Sequence, residues 1–496
     1  MFATHGFMVY YFNDKVTTVG DRITVAEKGN SRRWWALGLL CVAQFVDVLD
    51  VNAVVVALPS IGRDLGFAPE ELQWVVTSYV LFFGGFLLLA GRLADLFGRR
   101  RMFVAGLALF AGSSLMCGLA WSPLALVAFR AMQGLGAAIV APAALAIITT
   151  AFPEGRERRL ALGVWTAVAA GGGAAGLVLG GVTTDALGWA WIFFPNVPLG
   201  FTAIVLSFSL LAPDHEQDAT RRLDLPGAAT VTAGLVLLVY GLTRAEASGF
   251  ASPLTLTTLA VAALLLAAFL LVERSSPDPL VPLPVFRNRH LTGSAAVAFA
   301  NTATTGSVGI LTVLYVQNVL SYPPAIAGLL GLPFSLSVVA GSFLGARLTG
   351  RFGARSTMAL GLLGISVATL VALGISAEGG LGFVIANATL SGLALGCSAV
   401  ASTTRGTSAL AEGERGLASG LLNSSAQIGT ALGLAVFFTL AAARTDALAG
   451  GGVPSPADLV EGYKWAFVGA ACVAAVGAAT ALALIREDGK TPSGWE

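Results

Sequence analysis

Two aspartates stand inside an apolar stretch near the start of the chain, "FVDVLDVNAVVVALP" at residues 45–59. Asp47 and Asp50 are three residues apart, so a helix places both carboxyl groups on one face. A charged side chain at the centre of a membrane helix costs about 3 kcal/mol on insertion scales and by default marks an ion or substrate path. The pair therefore predicts proton exchange or cation binding, and it requires a basic partner elsewhere in the chain.

The basic partner is predicted in "FRAMQGLGAA" at residues 129–138. Arg130 is the single Lys or Arg inside an apolar stretch, and Gln133 follows one turn later on the same helix face. The alternative is that Arg130 lies near a helix end and extends its side chain to water. The histidines fall in tails or loops and the cysteines show no CxxC spacing, so the sequence predicts no metal site and no cofactor. These residues are His5, His215, His290, Cys41, Cys117, Cys397 and Cys472.

The elements that must position these groups are membrane-spanning helices. The chain has 496 residues, of which 56% are hydrophobic and 11% charged, and its composition is far too apolar for an ordinary soluble protein. Crossing a bilayer takes about 20 apolar residues. Fourteen stretches are predicted to span the membrane: 34–61, 72–90, 102–120, 123–148, 160–182, 191–211, 228–242, 254–272, 295–316, 325–344, 358–375, 381–401, 418–442 and 465–484.

The positive charges predict the orientation of these spans. With fourteen spans and a cytoplasmic N-terminus, 24 of the 29 Lys and Arg residues fall on the cytoplasmic side, four fall outside, and Arg130 is inside a span. An excess of positive charge marks the cytoplasmic side. We therefore expect both termini in the cytoplasm and, from the alanine-rich and glycine-rich composition, a bacterial cytoplasmic membrane.

An internal repeat predicts how the spans are grouped. "GRLADLFGRRR" at 91–101 superposes on "ARLTGRFGARS" at 346–356 with a separation of 255 residues. Two six-helix halves with an inserted helix pair are the simplest arrangement, and paired halves are one way transporters build alternating access. The predicted organisation is a cytoplasmic tail 1–33, a first bundle 34–211, linkers and inserted helices 212–290, a second bundle 291–485 and a cytoplasmic tail 486–496.

In these motifs the chain resembles the major facilitator superfamily, specifically its fourteen-helix drug:proton antiporter branch, over residues 34–485. The resemblance implies an all-α membrane protein with two six-helix bundles and an inserted pair. "LDVNAVVVALP" is similar to the signature of the first helix in that branch, and "FRAMQGLGAA" to the motif that carries its membrane arginine. The resemblance assigns proton coupling to Asp50 and Arg130. It leaves Asp47 as either a second proton site or a structural acceptor.

The loop motif "GRLADLFGRR" is similar to the family motif between the second and third helices. Glycines permit a tight turn, and an acidic side chain there can accept hydrogen bonds from a helix N-terminus or from nearby arginines. The alternative is that the arginines only hold this loop on the cytoplasmic side. The second copy has Gly350 in place of Asp95, so any such latch is one-sided. The conformational residues predicted here are Gly91, Asp95, Gly98, Arg99 and Arg101.

Closely spaced glycines in the fifth span reproduce an antiporter spacing. They are Gly172, Gly176, Gly180 and Gly181, and Leu177 replaces the usual proline. Small residues four apart let two helices approach closely. Plain helix packing is one interpretation, and a face that seals or hinges the pathway is the other.

The last six spans contain no acidic residue, which bears on the substrate. An apolar cavity with a few amides and one acidic pair suits hydrophobic, neutral or monocationic molecules. Candidate substrate-binding residues are Asn52, Tyr79, Gln133, Asn301, Gln317, Asn423 and Gln427. The expected partners are such substrates, protons and membrane lipids, with no nucleic acid and a monomeric chain.

The leading functional hypothesis is a proton-coupled multidrug exporter rather than an enzyme. A lipid or dedicated metabolite exporter on the same scaffold is the first alternative. A membrane enzyme or a sensor that does not transport is a remote one, since an enzyme would need a cluster of His, Cys or carboxylate groups beyond Asp47 and Asp50.

Overall fold

The computed structural model describes residues 19–68, 71–152, 156–214, 224–248, 252–277, 279–410, 415–450 and 452–485. Within these ranges every regular element is helical, and each of the fourteen predicted stretches is mainly helical. The α-helices are α1 Val19–Leu65, α2 Trp74–Phe97, α3 Arg99–Gly118, α4 Pro123–Ala151, α5 Arg156–Leu187, α6 Asn196–Leu210, α7 Leu225–Ser248, α8 Pro253–Ser275, α9 Arg289–Leu314, α10 Pro324–Leu330, α11 Leu332–Val371, α12 Leu381–Thr407, α13 Arg415–Ala449 and α14 Pro456–Leu484.

Eleven helical segments of the described chain are long and apolar enough to cross a membrane. One of them, Pro324–Gly374, is 51 residues long and contains a non-helical residue, Gly353, with a φ of 82°. The predicted stretches 325–344 and 358–375 lie on either side of this glycine. Two shorter apolar helices, Trp74–Leu87 and Pro226–Leu242, add to the set.

The helices pack as two groups. In the first, α1 contacts α5 and α6, while α3 and α4 contact each other and α4 contacts α2; in the second, α9, α11, α12, α13 and α14 pack together. The helix α7 pairs with α8 and also contacts α2 and α13. The groups meet where α2 touches α13 and where α5 touches α10. Asp47, Asp50 and Arg130 therefore belong to the first group of helices. The last six predicted spans, which contain no acidic residue, belong to the second group.

The sequence repeat corresponds to a repeated backbone turn. Gly98 and Gly353 occupy equivalent places in the two copies, and both have positive φ values, 99° and 82°. At the first turn Asp214 accepts hydrogen bonds from the backbone N–H groups of Arg100 and Arg101 at 2.9 and 3.1 Å. A carboxylate at a helix N-terminus satisfies N–H groups that have no partner within the helix. Asp214 thus caps α3 from the segment that follows α6.

Replacing Gly98 with alanine is expected to destabilise the fold by about 1–3 kcal/mol, because a side chain at positive φ is strained. The added Cβ would also collide with the Asp214 side chain that caps α3. The thermal midpoint of the purified protein measures the loss. Gly350→Ala is the matched control, since no atom lies within 4 Å of its Cβ position and its φ is not positive. Equal midpoints for Gly98→Ala and Gly350→Ala would contradict the prediction.

Candidate functional site

The predicted pairing of Arg130 with the α1 aspartates is present. The Nη1 of Arg130 donates to Oδ2 of Asp50 at 2.6 Å, and both side chains are fully buried. The Nε of Arg130 donates to the backbone carbonyl of Val75 on α2 at 3.0 Å. Arg130 therefore does not extend to water. It is an ionic partner inside the first group of helices.

Two amide side chains complete the shell of Asp50. Oδ1 of Asp50 accepts from Nε2 of Gln133 at 3.0 Å and from Nδ2 of Asn196 at 2.7 Å. Oε1 of Gln133 accepts from Nη1 of Arg130 at 2.5 Å, and its Nε2 also donates to Oγ of Ser114 at 2.8 Å. Asp50 thus receives one charged and two neutral N–H donors, so both of its carboxylate oxygens have hydrogen-bond partners.

Asp47 occupies a different environment. It is half-buried, and its Oδ1 accepts a hydrogen bond from the Tyr79 hydroxyl. The ring of Tyr79 lies 4.4 Å from the guanidinium carbon of Arg130, which is cation–π distance. Tyr79 therefore contacts Asp47 with its hydroxyl and Arg130 with its ring. The two aspartates share a helix face but have different partners.

The sequence of α4 explains how these groups come together. Ser122 accepts from the N–H of Ala125 at 3.2 Å, and Pro123 follows it, so the helix begins about two turns before Arg130. A Cβ at Gly134 would collide with the Tyr79 carbonyl oxygen, and one at Gly136 would lie 2.7 Å from the Phe110 nitrogen. These glycines allow α2 and α3 to approach α4 closely.

A narrow crevice, whose water-accessible volume is about 20 Å³, lies beside this cluster, between α1, α3, α4 and α6. Its wall includes Asp47, Asn196 and Gln44 among mainly apolar side chains, whereas Asp50 is not part of the wall. Asn196 therefore both lines the crevice and donates to the carboxylate of Asp50.

The predicted substrate-binding residues do not form one cluster. Tyr79 and Gln133 belong to the Arg130 site, whereas Asn52 donates to the Val48 carbonyl of its own helix at 2.8 Å. Nε2 of Gln317 donates to the Val56 carbonyl at 2.8 Å and joins the second group of helices to α1. The remaining three lie on α9 and α13: Asn301 is buried, Asn423 is exposed, and Gln427 packs against Gly84 of α2.

The α5 glycines pack against other helices. A Cβ at Gly172 would lie 2.9 Å from the Phe45 carbonyl oxygen, and one at Gly176 or Gly180 would collide with the backbone of α1. Gly181 instead faces Pro324 of α10, where a Cβ would lie 2.6 Å from the carbonyl oxygen. The same short segment therefore serves packing within the first group and contact between the groups.

The loop-motif residues are only partly described. The Asp95 side chain lies outside the described residues, and Gly91 is half-buried against Pro142. Nη1 of Arg99 donates to the Ala146 carbonyl on α4 at 3.2 Å, and Arg101 contributes its backbone N–H to Asp214. The acceptor that the structure shows at the N-terminus of α3 is thus Asp214, which the sequence analysis did not single out.

Asn196 and Ser114 were also missed. Asn196 is the first residue of α6 and follows Pro195, and Ser114 lies in the apolar α3. Asn196 does lie inside the predicted span 191–211, where it is a polar residue among mainly apolar ones. A buried amide at the start of a membrane helix is a signal that could have identified Asn196.

Comparison with known proteins gives a consistent result. The model of the Major Facilitator Superfamily matches residues 40–306 and 293–494. The chain is 39% identical to the puromycin resistance protein of Streptomyces alboniger, covering 87% of this chain and 86% of that protein. It is 40% identical to the cephamycin export protein of Amycolatopsis lactamdurans, covering 88% and 89%.

Solved structures share the fold at low sequence identity. A bacterial homolog of the human lysosomal transporter Spinster, in an inward-facing and unoccupied conformation, matches with a TM-score of 0.63 and 19% identity. The match covers 91% of this chain and 97% of that chain.

Proposed function

Because the chain belongs to the major facilitator superfamily, we propose that it is a drug efflux transporter driven by proton exchange at Asp50. Relatives named for puromycin resistance and cephamycin export, each matched over more than four fifths of its length, support the export of antibiotic-like molecules. The observation that carries proton coupling is the fully buried Arg130–Asp50 ion pair. A transporter with this role performs no covalent chemistry on its substrate.

The membrane arrangement is part of the proposal. The glycine at position 353 divides Pro324–Gly374 into two spans, and α2 and α7 supply two more, giving fourteen with α7 and α8 as the inserted pair. An even number places both termini on one side, and the arginine-rich loops place that side in the cytoplasm. The chain then lies in a bacterial cytoplasmic membrane as a monomer.

Proton exchange follows because a proton and the Arg130 guanidinium compete for the carboxylate of Asp50. A buried charge pair is stable only while both partners remain, because each lone charge is costly in a low dielectric. Protonation of Asp50 removes the partner of Arg130 and frees the guanidinium for another acceptor. Asp47 is the acidic group next on that face, and Tyr79 contacts both it and Arg130. Proton binding therefore changes the contacts among α1, α2 and α4.

The substrate class follows from the charges near the site. Asp47 is half-buried and lines the crevice, and the crevice wall is otherwise mainly apolar. One carboxylate in apolar surroundings favours a hydrophobic molecule with no more than one positive charge. Lipids and some dedicated metabolites are also hydrophobic molecules with few positive charges, so a lipid exporter is the second candidate.

The test is efflux of ethidium, a monocation, from vesicles with an imposed pH gradient. We expect gradient-driven efflux by the parent chain, its loss in Asp50→Asn and a weaker effect in Asp47→Asn, since only Asp50 is paired with Arg130. Asp446→Asn, at an exposed carboxylate, is the control and should behave as the parent. Absence of efflux of ethidium and of puromycin under any gradient would refute the drug exporter and favour a lipid substrate.

A further inference from the structure

We propose that Asn196 is a positioning residue that holds the carboxylate of Asp50 in place and closes it from the neighbouring crevice until the first helix of the chain moves. The proposal deepens the proposed function, because it rests on Asp50 as the proton-exchange site. Its test includes a measurement that does not depend on transport.

The contacts of Asn196 support the first part of this role. Nδ2 of Asn196 donates to Oδ1 of Asp50 at 2.7 Å and lies 3.4 Å from Oγ of Ser114. Asn196 is 1% exposed, so this hydrogen bond has no competition from solvent. A hydrogen bond to a charged group is stronger than one between neutral groups. The carboxylate therefore loses a specific partner whenever Asn196 withdraws.

The position of Asn196 supports the second part. Asp50 is fully buried and does not line the crevice, whereas Asn196 and Asp47 do. The amide of Asn196 thus lines the crevice and also contacts Oδ1 of Asp50. Withdrawal of this side chain would open a route for water or a proton from the crevice to Asp50.

Each helix packed around Asp50 supplies a charged, titratable or polar group, and the group from α6 is Asn196. Arg130 and Gln133 come from α4, Tyr79 from α2, Cys117 from α3 and Asp47 from α1 itself. Asn196 is the contact from α6, and it carries no charge. Its withdrawal therefore changes the proton affinity of Asp50 while the Arg130 ion pair is left in place.

The start of α6 connects Asn196 to a second contact with α1. The short 3-10 helix Trp189–Ile192 precedes it, and Nε1 of Trp189 donates to Oδ2 of Asp64 at 2.9 Å. Asp64 and Asp50 both belong to α1, one residue and fifteen residues from its C-terminal residue. A movement of α1 relative to α6 thus acts on both hydrogen bonds, and it can release Asp50 from Asn196.

The first measurement is an infrared titration of the purified protein, in which the carbonyl band of protonated Asp50 is identified by its absence in Asp50→Asn. Asn196→Leu keeps the side-chain volume and removes the donor. We expect Asp50 to take up its proton about one pH unit higher in this variant, a roughly tenfold increase in proton affinity. Ser114→Ala, which removes a partner of the Asn196 and Gln133 amides, should shift the midpoint in the same direction by less.

Asn387→Leu is the matched control, because Asn387 is a buried amide that donates to the Ala368 carbonyl far from Asp50. It should leave the midpoint unchanged. If Asn196→Leu does not fold, Asn196→Ser removes the same amide with a smaller side chain and should give the same shift. An unchanged midpoint in either folded Asn196 variant overturns the proposal.

Transport separates this inference from the proposed function. In vesicles, the pH profile of gradient-driven efflux should move to higher pH in Asn196→Leu, whereas the profile of the Asn387→Leu control should match that of the parent. A parent chain that transports nothing would refute the exporter, and the infrared midpoint would still decide the role of Asn196.

Discussion

Replacing Arg130 with methionine is expected to abolish gradient-driven efflux, by at least about a hundredfold, and to lower the free energy of unfolding by about 3–5 kcal/mol. Methionine approximates the length of the arginine stem but leaves Asp50 as a buried carboxylate without its cation. It also removes the donor to the Val75 carbonyl and the group that lies over the Tyr79 ring. Dye efflux and thermal unfolding of the same preparation measure the two effects.

The double variant Arg130→Met with Asp50→Asn separates stability from transport. With both charges removed, no unpaired buried charge remains, so stability should return to within about 1 kcal/mol of the parent while transport stays absent. A single Arg130→Met variant as stable as the parent would show that the ion pair does not hold α1 to α4.

Replacing Gly328 with leucine is expected to reduce transport by more than about tenfold while the chain still folds. A Cβ at Gly328 would collide with the Leu177 carbonyl oxygen, a backbone atom that cannot turn aside. This is the contact between α5 and α10, close to Gly181 and Pro324. The two groups of helices could then no longer meet at this end of the molecule.

Labelling of a cysteine placed at Val56, in a chain without its four native cysteines, reports the state of this end. Val56 is fully buried, and its carbonyl accepts the hydrogen bond from Gln317 of the other group. Combined with Gly328→Leu, Val56→Cys should react several times faster with a membrane-impermeant thiol reagent than in the background with Gly328 retained. Gly163→Leu, also on α5, is the control and should not change labelling, because no atom lies within 4 Å of the position that a Cβ would take there. Equal labelling with and without Gly328→Leu would mean that the contact does not close this end.

The sequence predicted the ion pair because few charged side chains lie inside the predicted spans. One buried cation and two carboxylates in a chain with few other charges inside its spans must find one another. The turn at Gly98 and Gly353 was likewise predictable, since a repeated motif with glycines at equivalent places requires a repeated backbone conformation. The close packing of α5 against α1 followed from glycines at four-residue spacing.

The neutral members of the site were harder to predict. Tyr79 was assigned to the substrate, yet it contacts Asp47 and Arg130. Asn196 and Ser114 are distant in sequence from Asp50, and no periodicity relates a polar residue at one helix start to a carboxylate on another helix. The predicted amides of the second half scatter for the same reason. The residue types show that these side chains are polar, but the packing of the helices determines whether each one faces a cavity, another helix or the surface.

The confinement of every Asp50 partner to the first group of helices has a consequence for how such a chain can change over time. The proposed proton-exchange site and the spans without acidic residues are separate parts of one polypeptide, joined through contacts such as Leu177 with Gly328 and the Gln317 side chain with the Val56 carbonyl. Substitutions along α9 to α14 therefore leave every described partner of Asp50 unchanged. The proposed proton-exchange site can thus be retained while the other half of the chain varies.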